Sequence, residues 1–166
     1  MNEKLERKLE EEFSFMRKKA SLEEQKANGK IDDIYSAFGC ACNDGWFDLI
    51  VDLCTEIEEV YKKANIKPDI IVEQIKEKFG TLRFYFSFEG KRNRLHAIDF
   101  LGVGSIRYMQ TDNSLHKEIA QIVKKYEKKS GEVCEVCGER GRLQTDLPWV
   151  LTLCDKCKSE RINKRQ

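Results

Sequence analysis

The sequence predicts an α+β fold: a small antiparallel sheet with packed helices, a long N-terminal helix before it and a C-terminal zinc ribbon after it. Three observations predict this. Apolar residues recur at helical spacing over 45–64 and 114–129, residues 81–88 alternate with period two, and two Cys-x-x-Cys pairs stand in the last third of the chain. The 166 residues suit one domain with a small module attached. The predicted organisation is an amphipathic helix at 1–30, an α+β domain at 31–130 carrying an insert at 89–113, and a zinc-ribbon module with a basic tail at 131–166.

Leu5, Leu9, Phe13, Met16 and Ala20 are spaced to share one helix face, which predicts a helix over 2–27 that stops at Asn28-Gly29. Its default role is to lie on the domain; the same stripe could pair two copies into a homodimer or dock a partner. Residues 31–43 are short, mixed and turn-rich. Asp44 is placed to cap the next helix, in which Trp46, Leu49, Ile50, Leu53, Ile57, Val60 and Tyr61 form the buried stripe. That helix ends near Ala64 or Asn65, before Pro68.

In residues 81–88, Leu82, Phe84, Phe86 and Phe88 alternate with Thr81, Arg83, Tyr85 and Ser87, the pattern of a half-buried strand. The preceding segment reads almost equally as helix or strand. A strand turning near Lys78–Gly80 is preferred, and this predicts a β-hairpin. Residues 89–113 look irregular, with a short strand or helix near Ala97–Val103. Ser114 then caps a helix with stripe Leu115, Ile119, Ile122, Val123 and Tyr126. Lysines 124, 125, 128 and 129 complement the negative end of its dipole.

Cys134 and Cys137 are separated from Cys154 and Cys157 by sixteen intervening residues. This is the two-knuckle ribbon spacing, in which each pair reaches one tetrahedral ion from a tight turn. Gly138 supplies the positive φ that such a knuckle uses. Four protein ligands close the coordination sphere, so a Zn²⁺ here is structural. Between the pairs, Leu143, Leu147, Trp149, Leu151 and Leu153 predict short strands that shelter the metal, and Trp149 with the leucines is expected to dock the ribbon on the sheet. Of the other cysteines, Cys54 reads as a small core residue; a second metal site from Cys40, Cys42 and Cys54 would need His96 or His116 as a fourth ligand.

Hydrophobic residues make up 40% of the chain, enough for a core, and no apolar run is long enough to span a membrane. The N-terminus is charged and lacks an apolar signal core, which points to the cytoplasm. Thirty basic residues against twenty-nine acidic ones leave a net charge of +1, a weak footprint for nucleic acid.

The segments DGWFDLIVDLC (44–54), QIKEKFGTLRFYF (74–86), CEVCGERGRLQTD and WVLTLCDKC resemble a family of small proteins from bacteriophages, prophages and bacteria. That family shows a GDGW-type helix start, a KEKFG-x-LRFY segment and a C-terminal Cys-x-x-Cys-Gly module. The resemblance covers residues 38–88 and 130–158. Asn43 stands where the family often has Gly, and Cys157 where it often has His, which also ligates zinc. The resemblance implies a viral or mobile-element accessory protein that acts on host machinery, including host defence, in the host cytoplasm.

Three function classes compete. Catalysis is disfavoured because there is no Walker loop, nucleophile elbow, HExxH helix or paired acid motif. Arg83 and Tyr85 on the polar strand face, with Lys76 and Lys78 nearby, could line an anion site; a solvent face with cross-strand pairs is the plainer reading. A nucleic-acid-binding ribbon protein draws on the KRNR run at 91–94, the lysines at 124–129 and the basic tail. Against it, Phe84 and Phe86 share a face with Leu82 and should be buried rather than offered for stacking. A non-catalytic protein that binds and modulates a host protein, or sequesters a ligand, ranks first. Trp46 is either a buried anchor of its helix or an exposed hot spot for that partner.

Overall fold

The strand pattern at 70–88 builds the centre of the molecule. In the computed structural model, which describes residues 1–90, 96–100, 104–108 and 113–164, β2 (Ile70–Lys78) and β3 (Thr81–Phe88) form an antiparallel hairpin. Phe79 and Gly80 both take positive φ at its tip, the turn whose twist matches two right-twisted strands. Ile75 pairs Phe84 and Val72 pairs Phe86, with a bulge between Val72 and Gln74. The bulge explains why the sequence of β2 keeps no clean period: Val72 and Ile75, three apart, both reach the core. Leu82, Phe84, Phe86 and Phe88 are all buried, as their alternation predicts.

The sheet is mixed rather than purely antiparallel. β1 (Cys40–Ala41) pairs parallel with β2, Cys40 opposite Ile75, giving the order β1-β2-β3. Parallel neighbours need a crossover, and helix α4 (Phe47–Ala64) is that crossover. A 3₁₀ turn at Asp44–Trp46 precedes α4. Asp44 does not cap the helix: its carboxylate accepts from the Asn2 backbone N–H and side chain, at 2.8 and 2.7 Å. Leu49, Ile50, Leu53, Ile57, Val60 and Tyr61 face the core, and Asn65 closes the helix in the left-handed conformation.

Helix α5 (Ser114–Lys129) packs on α4 and β3. Its cap is Asn113, whose side chain accepts from Leu115 N, rather than Ser114. Glu56 of α4 accepts from Lys125 Nζ at 2.5 Å and from Tyr126 Oη at 2.7 Å, tying the two helices together. Among the described residues, the far edge of β3 meets side chains rather than another strand. Leu82 N donates to Ser130 Oγ at 2.8 Å and Phe84 N to Glu127 Oε1 at 2.8 Å. These two bonds satisfy edge donors that would otherwise be buried unpaired or offered to another chain. Insert strands β4 (His96–Phe100) and β5 (Gly104–Tyr108) form a separate antiparallel pair. The KRNR run at 91–94 and residues 101–103 of the predicted element near 97–103 lie outside the described residues.

The long N-terminal helix is replaced by shorter pieces. Helix α1 (Glu3–Glu12) ends at Phe13, a 3₁₀ turn covers Ser14–Met16, and α2 (Leu22–Ala27) follows. The break turns Phe13 and Met16 inward, where they and Leu9 join the main core. Ser21 and Glu24 form a reciprocal capping box that starts α2. Of the predicted apolar stripe, Leu9, Phe13 and Met16 are buried in their own chain, and Leu5 and Ala20 are half-buried. Helix α3 (Ile34–Phe38) then leads into β1. Among the described residues no helix is long and apolar enough to cross a membrane.

Candidate metal centre

The two cysteine pairs are brought together by different local structures. The first lies in a tight turn: Gly138 N donates to Cys134 O at 2.9 Å, and Gly138 takes φ +81° as predicted. The second follows a short hairpin, β6 (Arg142–Gln144) with β7 (Leu151–Leu153), that delivers Cys154 to the N-terminus of α6 (Asp155–Asn163). Cys154 caps this helix, and its Sγ accepts from Cys157 N at 3.4 Å. Leu151 and Leu153 are buried with Cys134 and Cys157 in a second small core.

The four sulfur atoms all lie within 4.8 Å of one another, in position to hold a metal ion. Cys137 Sγ and Cys154 Sγ are 3.7 Å apart. A tetrahedral ion with bonds of about 2.3 Å to sulfur sets its ligands about 3.8 Å apart, so this spacing fits a tetrathiolate centre. It is far from the roughly 2.05 Å of a disulfide, and all seven cysteines are free thiols. The Cys157 backbone N–H, with the neighbouring thiols, lowers the Cys154 thiol to about 7.

The module is anchored to the rest of the chain by backbone contacts. Gly45 N donates to Glu135 O at 3.0 Å, and Trp46 Nε1 donates to Val133 O at 2.9 Å. Thr152 Oγ1 donates to Gly80 O at 2.6 Å, which ties β7 to the β2–β3 turn. Trp149 docks the ribbon only by a polar contact at the rim of the sheet, not by burying its ring. Its side chain is 62% exposed, with Nε1 donating to Glu77 Oε2 at 3.3 Å. The anchoring falls instead to Leu151, Thr152 and the Gly80 turn, because the module meets the end of the sheet rather than its face.

Trp46 is 0% exposed, so it is a buried anchor and not a surface hot spot. Lys76, Lys78, Arg83 and Tyr85 do come together on one face of the hairpin, with Lys76 opposite Arg83 and the Lys76 ammonium 5.2 Å from the centre of the Tyr85 ring. That face is not open to solvent at Arg83, which is 0% exposed and donates to Thr81 Oγ1 and Leu82 O. An anion arriving from water therefore cannot meet its guanidinium. Among the described residues Cys40, Cys42 and Cys54 join no metal-ligating cluster. Burial pushes the Cys42 thiol up to about 12, and raises those of Cys40 and Cys54 as well.

Glu135, between the two ligands of the first knuckle, was not singled out from the sequence, where it reads as one more surface carboxylate. It is buried, and its Oε1 accepts from Asn43 Nδ2 at 2.6 Å. Burial, reinforced by the Glu77 carboxylate, raises its carboxyl to about 7.

No family model, curated protein or solved structure matches the chain. The likeness to phage and bacterial proteins thus rests on the sequence motifs alone.

Proposed function

We propose that this is a non-catalytic, zinc-containing accessory protein that acts by binding a partner protein. The observation that carries the reading is the closed set of four sulfurs. A tetrathiolate ion has no vacant position for water or substrate, so the metal's work is to hold the C-terminal module together. The ribbon spacing of the two Cys-x-x-Cys pairs favours zinc; the sulfur separation of 3.7 Å fits tetrahedral zinc and iron alike. The motif resemblance names the partner's side: a host protein met in the cytoplasm by a phage or mobile-element product, with counter-defence as one setting.

The nucleic-acid reading is weaker because Phe84 and Phe86, the aromatics that could stack bases, are buried. Elemental analysis of purified protein tests the metal reading, with one zinc per chain as the expected result. Iron, or no transition metal, would overturn it. Affinity capture from host lysate, with and without nuclease, tests the partner. A nuclease-resistant protein captured at stoichiometric yield is expected; recovery of nucleic acid alone would reverse the assignment.

A further inference from the structure

The four sulfur ligands are not equally placed. Cys134 and Cys157 are buried, in the small core with Leu151 and Leu153. Cys137 is exposed and Cys154 is half-buried. One pair thus faces inward and the other toward solvent, and each pair takes one cysteine from each knuckle. The Sγ atoms of the outward pair are 3.7 Å apart. Closing them to the roughly 2.05 Å of a disulfide takes a movement of about 1.7 Å, a step of the size that side-chain rotation supplies.

Zn²⁺ has no redox chemistry of its own, so oxidation of such a centre falls on its sulfurs. Which sulfurs react is set by access, because an oxidant in solution meets the exposed ones first. Here those are the two already close to each other.

We propose that Cys137 and Cys154 are an oxidant-sensitive latch on the metal module: hydrogen peroxide joins them in a disulfide and the zinc is released. The inference rests on the zinc reading above and goes beyond it by giving the closed site a regulatory role. The Cys137 thiolate attacks one peroxide oxygen; the O–O bond breaks, an S–O bond forms and hydroxide leaves. The Cys154 thiolate then attacks the sulfenic sulfur of Cys137; the S–S bond forms, the S–O bond breaks and a second hydroxide leaves. Two thiolates lose two electrons, the peroxide gains them, and two protons from solvent turn the hydroxides into water. Cys134 and Cys157 remain as ligands, too few to close a tetrahedral set.

The effect reaches the main domain. The first knuckle sits on the start of α4 through the bonds from Gly45 N to Glu135 O and from Trp46 Nε1 to Val133 O. Release of the ion loosens that knuckle, and the buried Trp46 indole reports it. Thiols of a reducing compartment reverse the disulfide, so the latch closes again when zinc is present.

The test treats the zinc-loaded full chain with hydrogen peroxide, reads free zinc with a metal indicator and maps the linkage on peptides. One zinc should appear per Cys137–Cys154 disulfide, the Trp46 indole N–H resonance should shift in step, and dithiothreitol with zinc should restore the starting state. Cys137→His keeps a fourth zinc ligand but removes an outward sulfur, and its release should be at least about tenfold slower. Cys157→His keeps four ligands and both outward sulfurs, and should release within about twofold of the parent rate. Where a variant fails to hold zinc, the linkage map of the parent decides. A parent that keeps its zinc under peroxide, a dominant Cys134–Cys137 or Cys154–Cys157 bridge, or equal release by Cys137→His and the parent would each overturn the inference. Those results leave the structural zinc standing, whereas absence of zinc before any peroxide is added sinks the reading beneath as well.

Discussion

Adding one methyl group at Gly45 should loosen the metal module from the main domain. A Cβ there would lie 2.4 Å from Cys134 O and 2.6 Å from both Cys137 N and Gly138 N, all backbone atoms of the first knuckle. Ordinary contacts between such atoms are about 3.3–3.6 Å, so the knuckle must withdraw by about 1 Å. The withdrawal stretches the bonds from Gly45 N to Glu135 O and from Trp46 Nε1 to Val133 O, which are 3.0 and 2.9 Å long. Losing two largely buried hydrogen bonds and leaving their partners unpaired costs about 2–5 kcal/mol. With a urea slope of about 2 kcal/mol/M, the unfolding midpoint of Gly45→Ala should fall by roughly 1–2.5 M. Gly131→Ala is the control: its Cβ would meet only Thr81 Cγ2, at 3.6 Å, an ordinary contact. It should stay within about 0.5 kcal/mol of the parent. Urea denaturation followed by circular dichroism, on zinc-loaded samples, reads both variants. A Gly45→Ala midpoint equal to that of the parent, or equal losses in the two variants, would refute the docking geometry.

Other perturbations probe the remaining links. Trp46→Ala should cost about 3–5 kcal/mol, since it empties a fully buried site. Trp46→Phe, which mainly orphans Val133 O, should cost about 1–3 kcal/mol, and calorimetry on the pair separates packing from hydrogen bonding. Ser130→Ala leaves the Leu82 N–H at the β3 edge without its acceptor and should cost about 1–3 kcal/mol; faster amide exchange at Leu82 would locate the loss. Cys137→Ser, or a strong chelator, should release the metal and unfold the C-terminal module while β2 and β3 keep their amide protection. Retention of one equivalent of metal with an unchanged melting curve would show the ligand set to be wrong.

Acid should unclamp α4 from α5. Burial pushes the Glu56 carboxyl up, but the hydrogen bonds and positive charges from Lys125, Tyr126 and Lys129 outweigh it and leave the group below its ordinary value. A carboxyl depressed in the folded state contributes stability above its unfolded pKa of about 4.3, and loses it as pH falls through the lower folded value. Glu56→Gln should therefore flatten the acid limb of stability against pH, with little difference remaining at the lowest pH. An unchanged acid limb would show that Lys125 and Tyr126 do not stabilise the ionised form.

Local pattern carried a good deal of this protein. Period two in residues 81–88 named the buried face of β3, and helical spacing named those of α4 and α5, because burial on one side of a regular element repeats with that element's geometry. Two Cys-x-x-Cys pairs named the four cysteines that come together in position to hold a metal ion, because a knuckle is built from adjacent residues. Periodicity says which residues are buried and not what covers them. The stripe Leu9, Phe13 and Met16 is buried as its spacing requires, yet in a broken segment rather than one helix, since the core it meets is not straight. The parallel pairing of β1 joins residues thirty-five apart, Cys40 and Ile75, across α4. Only assembly exposes Trp149 and leaves a carboxylate oxygen of Glu135 buried without a donor. Those properties depend on where one element stops against another, and no window of sequence contains both sides of such a contact.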